Sequence, residues 1–171
     1  MFKGCESYKH KCAKEIVKKW IDWTSIPTNY KNVDVGSDNN NRGEVWLEYP
    51  VGYYKENDYN SICCMFDESW DECLPYRTIG EECVKTNNYP VPTYEQCMEK
   101  QFNVVAVLDI AVPHKGCICQ GIEICHKNPV SDKKVQKLKE IGLMSLVEID
   151  ADWVLNQVGI PKEIKIKRIL I

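Results

Sequence analysis

Apolar and polar positions along the chain fall into two rhythms. Over residues 6–23, ESYKHKCAKEIVKKWIDW, Cys12, Ile16, Trp20 and Trp23 recur at spacings of three or four, and Ala13, Val17 and Ile21 widen the stripe. That is the period of a helix with one face against a core, and lysines fill much of the other face. In EVWLEYPVGYY the period becomes two, with Val45, Leu47 and Tyr49 on one side and Trp46 and Glu48 on the other, as in a strand. FNVVAVLDIAV is apolar at almost every position, like a strand covered on both faces. VPHKG turns the chain and CICQGIEICHK runs back, which predicts an antiparallel hairpin. NPVSDKKVQKLKEIG returns to helical spacing: Ser131 is placed to cap the start, Val135, Leu138 and Ile141 form the apolar stripe, and Gly142 stops it. LMSLVEI predicts a further buried strand, ADWVLNQ a short helical turn, and KEIKIKRILI an edge strand or a docked tail.

Between these segments the pattern weakens. Pro27 and GSDNNNRG read as a surface loop, and residues 55–100, rich in Asp, Glu, Asn, Tyr and Cys, as an irregular insertion with one short helix around TYEQCMEKQ. The 171 residues suit one domain. Its core spans residues 6–54 and 102–157, interrupted by the insertion at 55–101 and followed by a tail at 158–171. The order of elements predicts an α/β sandwich around a mixed central sheet.

Charge and cysteine content narrow the functional classes. A net charge of -3 provides no global basic field, so a polyanion would bind through a local patch helped by a metal ion. No apolar run has the length of a membrane span, and MFKGCESYKHK lacks the apolar centre of a signal peptide, so an intracellular protein without membrane contact is expected. In that setting ten cysteines read as reduced thiols or metal ligands. Cys63, Cys64, Cys73, Cys83 and Cys97 are spaced loosely: they are either buried small apolar thiols or a structural Zn²⁺ site. The abundance of Asn and Lys is compositionally in keeping with an AT-rich genome, that of a large virus or its host.

Two acids interrupt the apolar runs, Asp109 in VVAVLDIAV and Glu123 in GIEICHK. Acids seldom enter a core unless they are paired or bind a metal. The hairpin brings Asp109 beside Glu123, and Glu123 shares a strand face with Cys125. Two carboxylates so close repel unless a proton or cation lies between them, and oxygen ligands suit Mg²⁺ or Mn²⁺. Glu48 is a third acid for the metal, or an exposed strand residue. The structural alternative for Asp109 and Glu123 is a carboxylate capping a turn or pairing with a lysine.

A strand ending in Asp, a turn, a strand carrying Glu, then a helix and a strand resembles the core of the PD-(D/E)xK restriction-endonuclease-like nucleases. The nearer resemblance is to the competence protein CoiA-like branch, through LDIAV, IEICHKNPVSDKKVQKLKEIG, DADWVLNQ and the first helix ESYKHKCAKEIVKKWI, which presents His10 and Lys14 one turn apart. These segments cover residues 6–23 and 102–157, somewhat under half the chain. The resemblance implies an α-β-β-β-α-β core and a metal-dependent nuclease, with Asp109 and Glu123 as ligands. Cys125 stands where the superfamily has its catalytic lysine and the CoiA-like branch typically a glutamine. A thiol brings no positive charge, so His126 or Lys127 would take that part if the strand ends in a bulge. His10, Lys14, Lys133 and Lys134 would contact phosphate, the last two from the start of the second helix, an anion-binding end. The partner implied is nucleic acid, DNA before RNA, and a dimer is compatible. Two other readings stay open: an inactive nucleic-acid-binding or protein-interaction module on the same fold, and a cysteine-built zinc module centred on residues 63–97.

Overall fold

The computed structural model describes residues 7–36, 45–54, 102–114 and 117–171. The insertion, its helix around TYEQCMEKQ and the cysteines at 63–97 lie outside the described residues.

Helix α1 (Tyr8–Ile21) opens the fold. Ser7 caps it, its hydroxyl accepting the His10 N–H at 3.2 Å. Ala13, Val17, Trp20 and Ile21 are buried on the face expected, and Lys14 is buried among them. Trp23 departs from the stripe: it lies past the helix end at φ 62° and is 53% exposed. A two-stranded ribbon follows, β1 (Ser25–Pro27) antiparallel to β2 (Asp34–Gly36), where sequence reading expected a loop.

Five further strands, β3 (Trp46–Tyr54), β4 (Phe102–His114), β5 (Cys117–Cys125), β6 (Ser145–Asp150) and β7 (Ile166–Ile169), form one sheet in chain order. All neighbours are antiparallel except β5 and β6, so the sheet is mixed. The parallel pair needs a crossover, which α2 (Asp132–Glu140) provides. Ser131 caps α2, as expected, and Gly142 ends it at φ 86°. The short α3 (Ala151–Leu155) follows β6. Pro50 is tolerated in β3 because that strand lies at the sheet's edge.

The sheet carries a core on each face. Ile110, Ile122, Ile124, Val147 and Ile149 pack with α1 and α3, where Trp20 and Trp153 meet edge to face at 6.1 Å. Leu108, Ala111 and Leu146 pack with Leu138 of α2 and with Ile141 and Leu143 beyond it. The chain is therefore an α/β fold with helices on both sides of a mixed five-stranded sheet.

The outer side of β7 is occupied near its start. Asn29 holds Ile166 at both main-chain groups, donating from Nδ2 to the carbonyl at 3.3 Å and accepting the N–H at Oδ1 at 2.6 Å, and Thr28 bridges to Ile164.

Candidate metal centre

A break in the pleat builds the site. Residues two apart on a strand share a face, yet Leu47 packs in the α1 core and Tyr49 in the α2 core. On β4 the same switch separates Ile110 from Leu108. The β3–β4 register pairs Leu47 with Ile110 and Tyr49 with Leu108, skipping the rung between them, which belongs to Glu48 and Asp109. Glu48 has φ 51°, a left-handed conformation uncommon outside glycine, so the single-face assignment of Val45, Leu47 and Tyr49 fails there. Both acids turn to α1. Asp109 Oδ2 lies 2.9 Å from His10 Nε2, and Glu48 is paired with Lys14 one helical turn on.

The β4–β5 register starts at Ile110 opposite Ile122. Carried one rung further it would set Asp109 against Glu123, and here carboxylates replace the ladder. Asp109 Oδ2 accepts the Ile124 N–H at 2.8 Å, and Glu123 Oε1 accepts the Asp109 N–H at 3.4 Å. The acids adjoin, as the hairpin predicted, but they lie in the seam between strands instead of side by side on one face. Asp109 is held from α1, while Glu123 is held from α2 by Lys134, whose Nζ is 2.6 Å from Oε2. The same ammonium donates to the Val107 carbonyl at 2.7 Å, so it spans both strands.

The two environments push the acids apart. Burial works to raise Asp109, but the hydrogen bonds from His10 and Ile124 outweigh it and hold the carboxyl below its ordinary range. Burial, joined by the neighbouring Asp109 charge, lifts Glu123 to about 7, only partly opposed by Lys134. Among the described residues the second Asp109 oxygen, Oδ1, accepts no hydrogen bond.

The other candidate residues are placed elsewhere. Cys125 is buried, with Sγ 3.1 Å from Lys167 Nζ and 3.7 Å from the Asn128 carbonyl. His126 Nδ1 lies 2.9 Å from Ser7 Oγ, tying the end of β5 to the cap of α1. Lys127 adopts φ 68° and Lys133 is exposed. Among the described residues none of these four bonds to either acid. Lys134, expected to contact phosphate from the start of the second helix, is half-buried against Glu123. Glu48 is taken by Lys14, and among the described residues no three His, Cys, Asp or Glu side chains form a metal-binding group. Cys12 and Cys125 are free thiols.

Sequence reading passed over Glu148 and Lys167. Glu148 sits fully buried in LVEID, an acid in an apolar run that carries the same signal as Asp109. Its partner is Arg168, which donates from Nε to Oε1 at 3.0 Å and from Nη2 to Oε2 at 2.8 Å, while the Val130 N–H adds a bond of 2.7 Å. That signal therefore finds buried ion pairs as readily as metal ligands.

No protein-family model, curated protein or solved structure matches the chain. No described helix is long and apolar enough to cross a membrane.

Proposed function

We propose that this chain is a divalent-metal-dependent nuclease with a restriction-endonuclease-like core, hydrolysing phosphodiester bonds in nucleic acid, DNA before RNA. The observation that carries the reading is the seam between β4 and β5, where Asp109 and Glu123 adjoin and, among the described residues, Asp109 Oδ1 accepts no hydrogen bond. Two hard oxygen donors suit Mg²⁺ or Mn²⁺, which take one or two protein carboxylates and leave other positions to water and phosphate. Asp109 and Glu123 would hold the ion, joined by a main-chain carbonyl at Ile124 or Cys125. Such an ion polarises a phosphodiester and lowers the pKa of bound water. His10, bonded to Asp109, orients that carboxylate toward the seam. Lys14 is paired with Glu48 on β3. Lys134, not Cys125, brings positive charge to the pair.

A specific observation favours a second reading. Lys134 already neutralises Glu123, and a thiol stands at Cys125, as in a nucleic-acid-binding module that has lost its chemistry. One experiment separates the two. Plasmid and single-stranded DNA are incubated with the full chain and Mg²⁺ or Mn²⁺, with EDTA as control, alongside binding to the same DNA. Cleavage that EDTA abolishes is expected; DNA binding with no cleavage in either metal would establish the inactive module instead.

A further inference from the structure

The Lys134–Glu123 pair differs from the other buried acid–base pair in ways that matter for exchange. Glu148 is gripped at both oxygens by two nitrogens of one guanidinium, Nε on Oε1 and Nη2 on Oε2. Glu123 is met by one ammonium, at one of its oxygens, on a flexible stem from the first turn of α2. Lysine is a compact, strongly hydrated charge that water readily accepts when it leaves. Its contacts are those a small hard cation would make, a carboxylate oxygen of Glu123 and a carbonyl oxygen of Val107, close enough to Asp109 to lower that acid as well. Without this charge two buried carboxylates would face each other across the seam.

We infer that Lys134 is a built-in stand-in cation: it holds the β4–β5 seam together while metal is absent and leaves Glu123 when a divalent ion binds. This rests on the metal-centre reading above and adds its regulation. An ammonium and a divalent ion cannot share one carboxylate pair without strong repulsion, so the two compete. The exchange sets the metal affinity below what the acids alone would give. It also frees a positive side chain at the mouth of the site at the moment the ion arrives, where a phosphate of the substrate would meet it.

Two measurements on the full chain test this without relying on cleavage. Mn²⁺ alone is titrated calorimetrically into the wild type and Lys134→Met, whose side chain keeps the stem and loses the charge. A hydrogen bond to a charged group must be given up in the wild type only, so the variant should bind about tenfold more tightly, or better. Independently, wild-type lysines are reductively methylated with and without Mg²⁺ and located by peptide mass spectrometry. Lys134 should be modified several-fold faster in Mg²⁺. If wild type and variant bind Mn²⁺ equally, or Lys134 labels equally with and without bound Mg²⁺, the exchange is wrong while the metal centre stands. If neither protein binds Mn²⁺, the centre itself is wrong and the exchange falls with it. The labelling arm uses the wild type alone, so misfolding of the variant does not remove the test.

Discussion

Glu123 and Glu148 are partners across the parallel β5–β6 pairing, and each is bonded to a cation from a different element. Lys134 reaches Glu123 from α2; Arg168 reaches Glu148 from β7. Burial raises both, but for Glu148 the bonds from Arg168 and Val130 outweigh it and hold the carboxyl below its usual range. For Glu123 burial and the Asp109 charge prevail. Adjacent positions of the same residue type thus have opposite dispositions: one acid is settled as an ion pair and the other holds its proton into the neutral range.

That contrast gives a pH signature. Glu123 titrates near 7 in the folded chain against an ordinary value of 4.5. Between those values the native state binds the proton that the unfolded chain has released, so stability falls as pH rises through the interval and levels off above it. Asp109 and Glu148 are shifted downward, so their contributions are intact above their ordinary values and lost only in stronger acid. Urea unfolding of wild type and Glu123→Gln at pH 5, 6, 7 and 8 isolates this carboxyl. Relative to the variant, the wild type should lose on the order of 1–3 kcal/mol from the acid to the alkaline end. Parallel curves would show that Glu123 is ionised throughout.

Neutralising the two acids should affect folding differently even where it affects chemistry alike. Asp109→Asn weakens charge-assisted bonds to His10 and the Ile124 N–H, so a loss of about 1–2 kcal/mol is expected. Glu123→Gln removes a costly buried charge, and its stability at neutral pH should be unchanged or higher. Both should lack the divalent-dependent cleavage and the Mn²⁺-induced rise in melting temperature expected of the wild type. Retained cleavage in either variant would remove that acid from the centre.

Arg168→Met should be a folding lesion only. It leaves Glu148, with no exposed surface, without its partner, and the cost of stranding a buried charge is about 3 kcal/mol at the lower end, apt here because Arg168 is partly exposed. Urea denaturation measures the loss, and Mn²⁺ affinity of the folded fraction should match the wild type. A fall in metal affinity as large as that of Glu123→Gln would connect Glu148 to the centre.

Glycine substitutions should separate a rigid contact from a yielding one. At Gly36, φ is 110° and an added methyl would clash with the Thr24 carbonyl oxygen and lie 2.7 Å from Ile21 Cβ, both fixed in place. At Gly121 the methyl meets Leu146 Cδ1 at 2.8 Å and Leu108 Cδ2 at 2.9 Å, the ends of side chains that can shift. Gly121→Ala should cost about 1–3 kcal/mol, the usual range for overpacking, and Gly36→Ala more than that. Chemical denaturation of the two variants settles the order.

Most of the sheet and its helices were legible in the sequence because their periods are long enough to register. Ser131 and Gly142 bound α2 as their chemistry requires, and Ile122 and Ile124 turn to the α1 core as alternation demands. The β1–β2 ribbon was not legible: its strands have three residues each, one of them Pro27, too few to show a period. Nor was the pleat break at Glu48, since alternation assumes the uniform backbone that a positive φ interrupts. Asp109 and Glu123 were found from their apolar surroundings, whereas the setting of Lys134 came from the tertiary fold. A lysine three residues after a helix cap looks solvated in sequence, and only the position of α2 over the seam shows what it reaches.

The amide of Asn29 has a consequence for how copies of the chain can meet. An open sheet margin invites another strand to join it, the route by which many β-proteins polymerise. Here a single side chain presents a donor and an acceptor to Ile166 as a neighbouring strand would, and Thr28 covers Ile164. Strand addition is thereby obstructed at the start of β7, where both main-chain groups of Ile166 are already bonded. Asn29 acts as a molecular full stop.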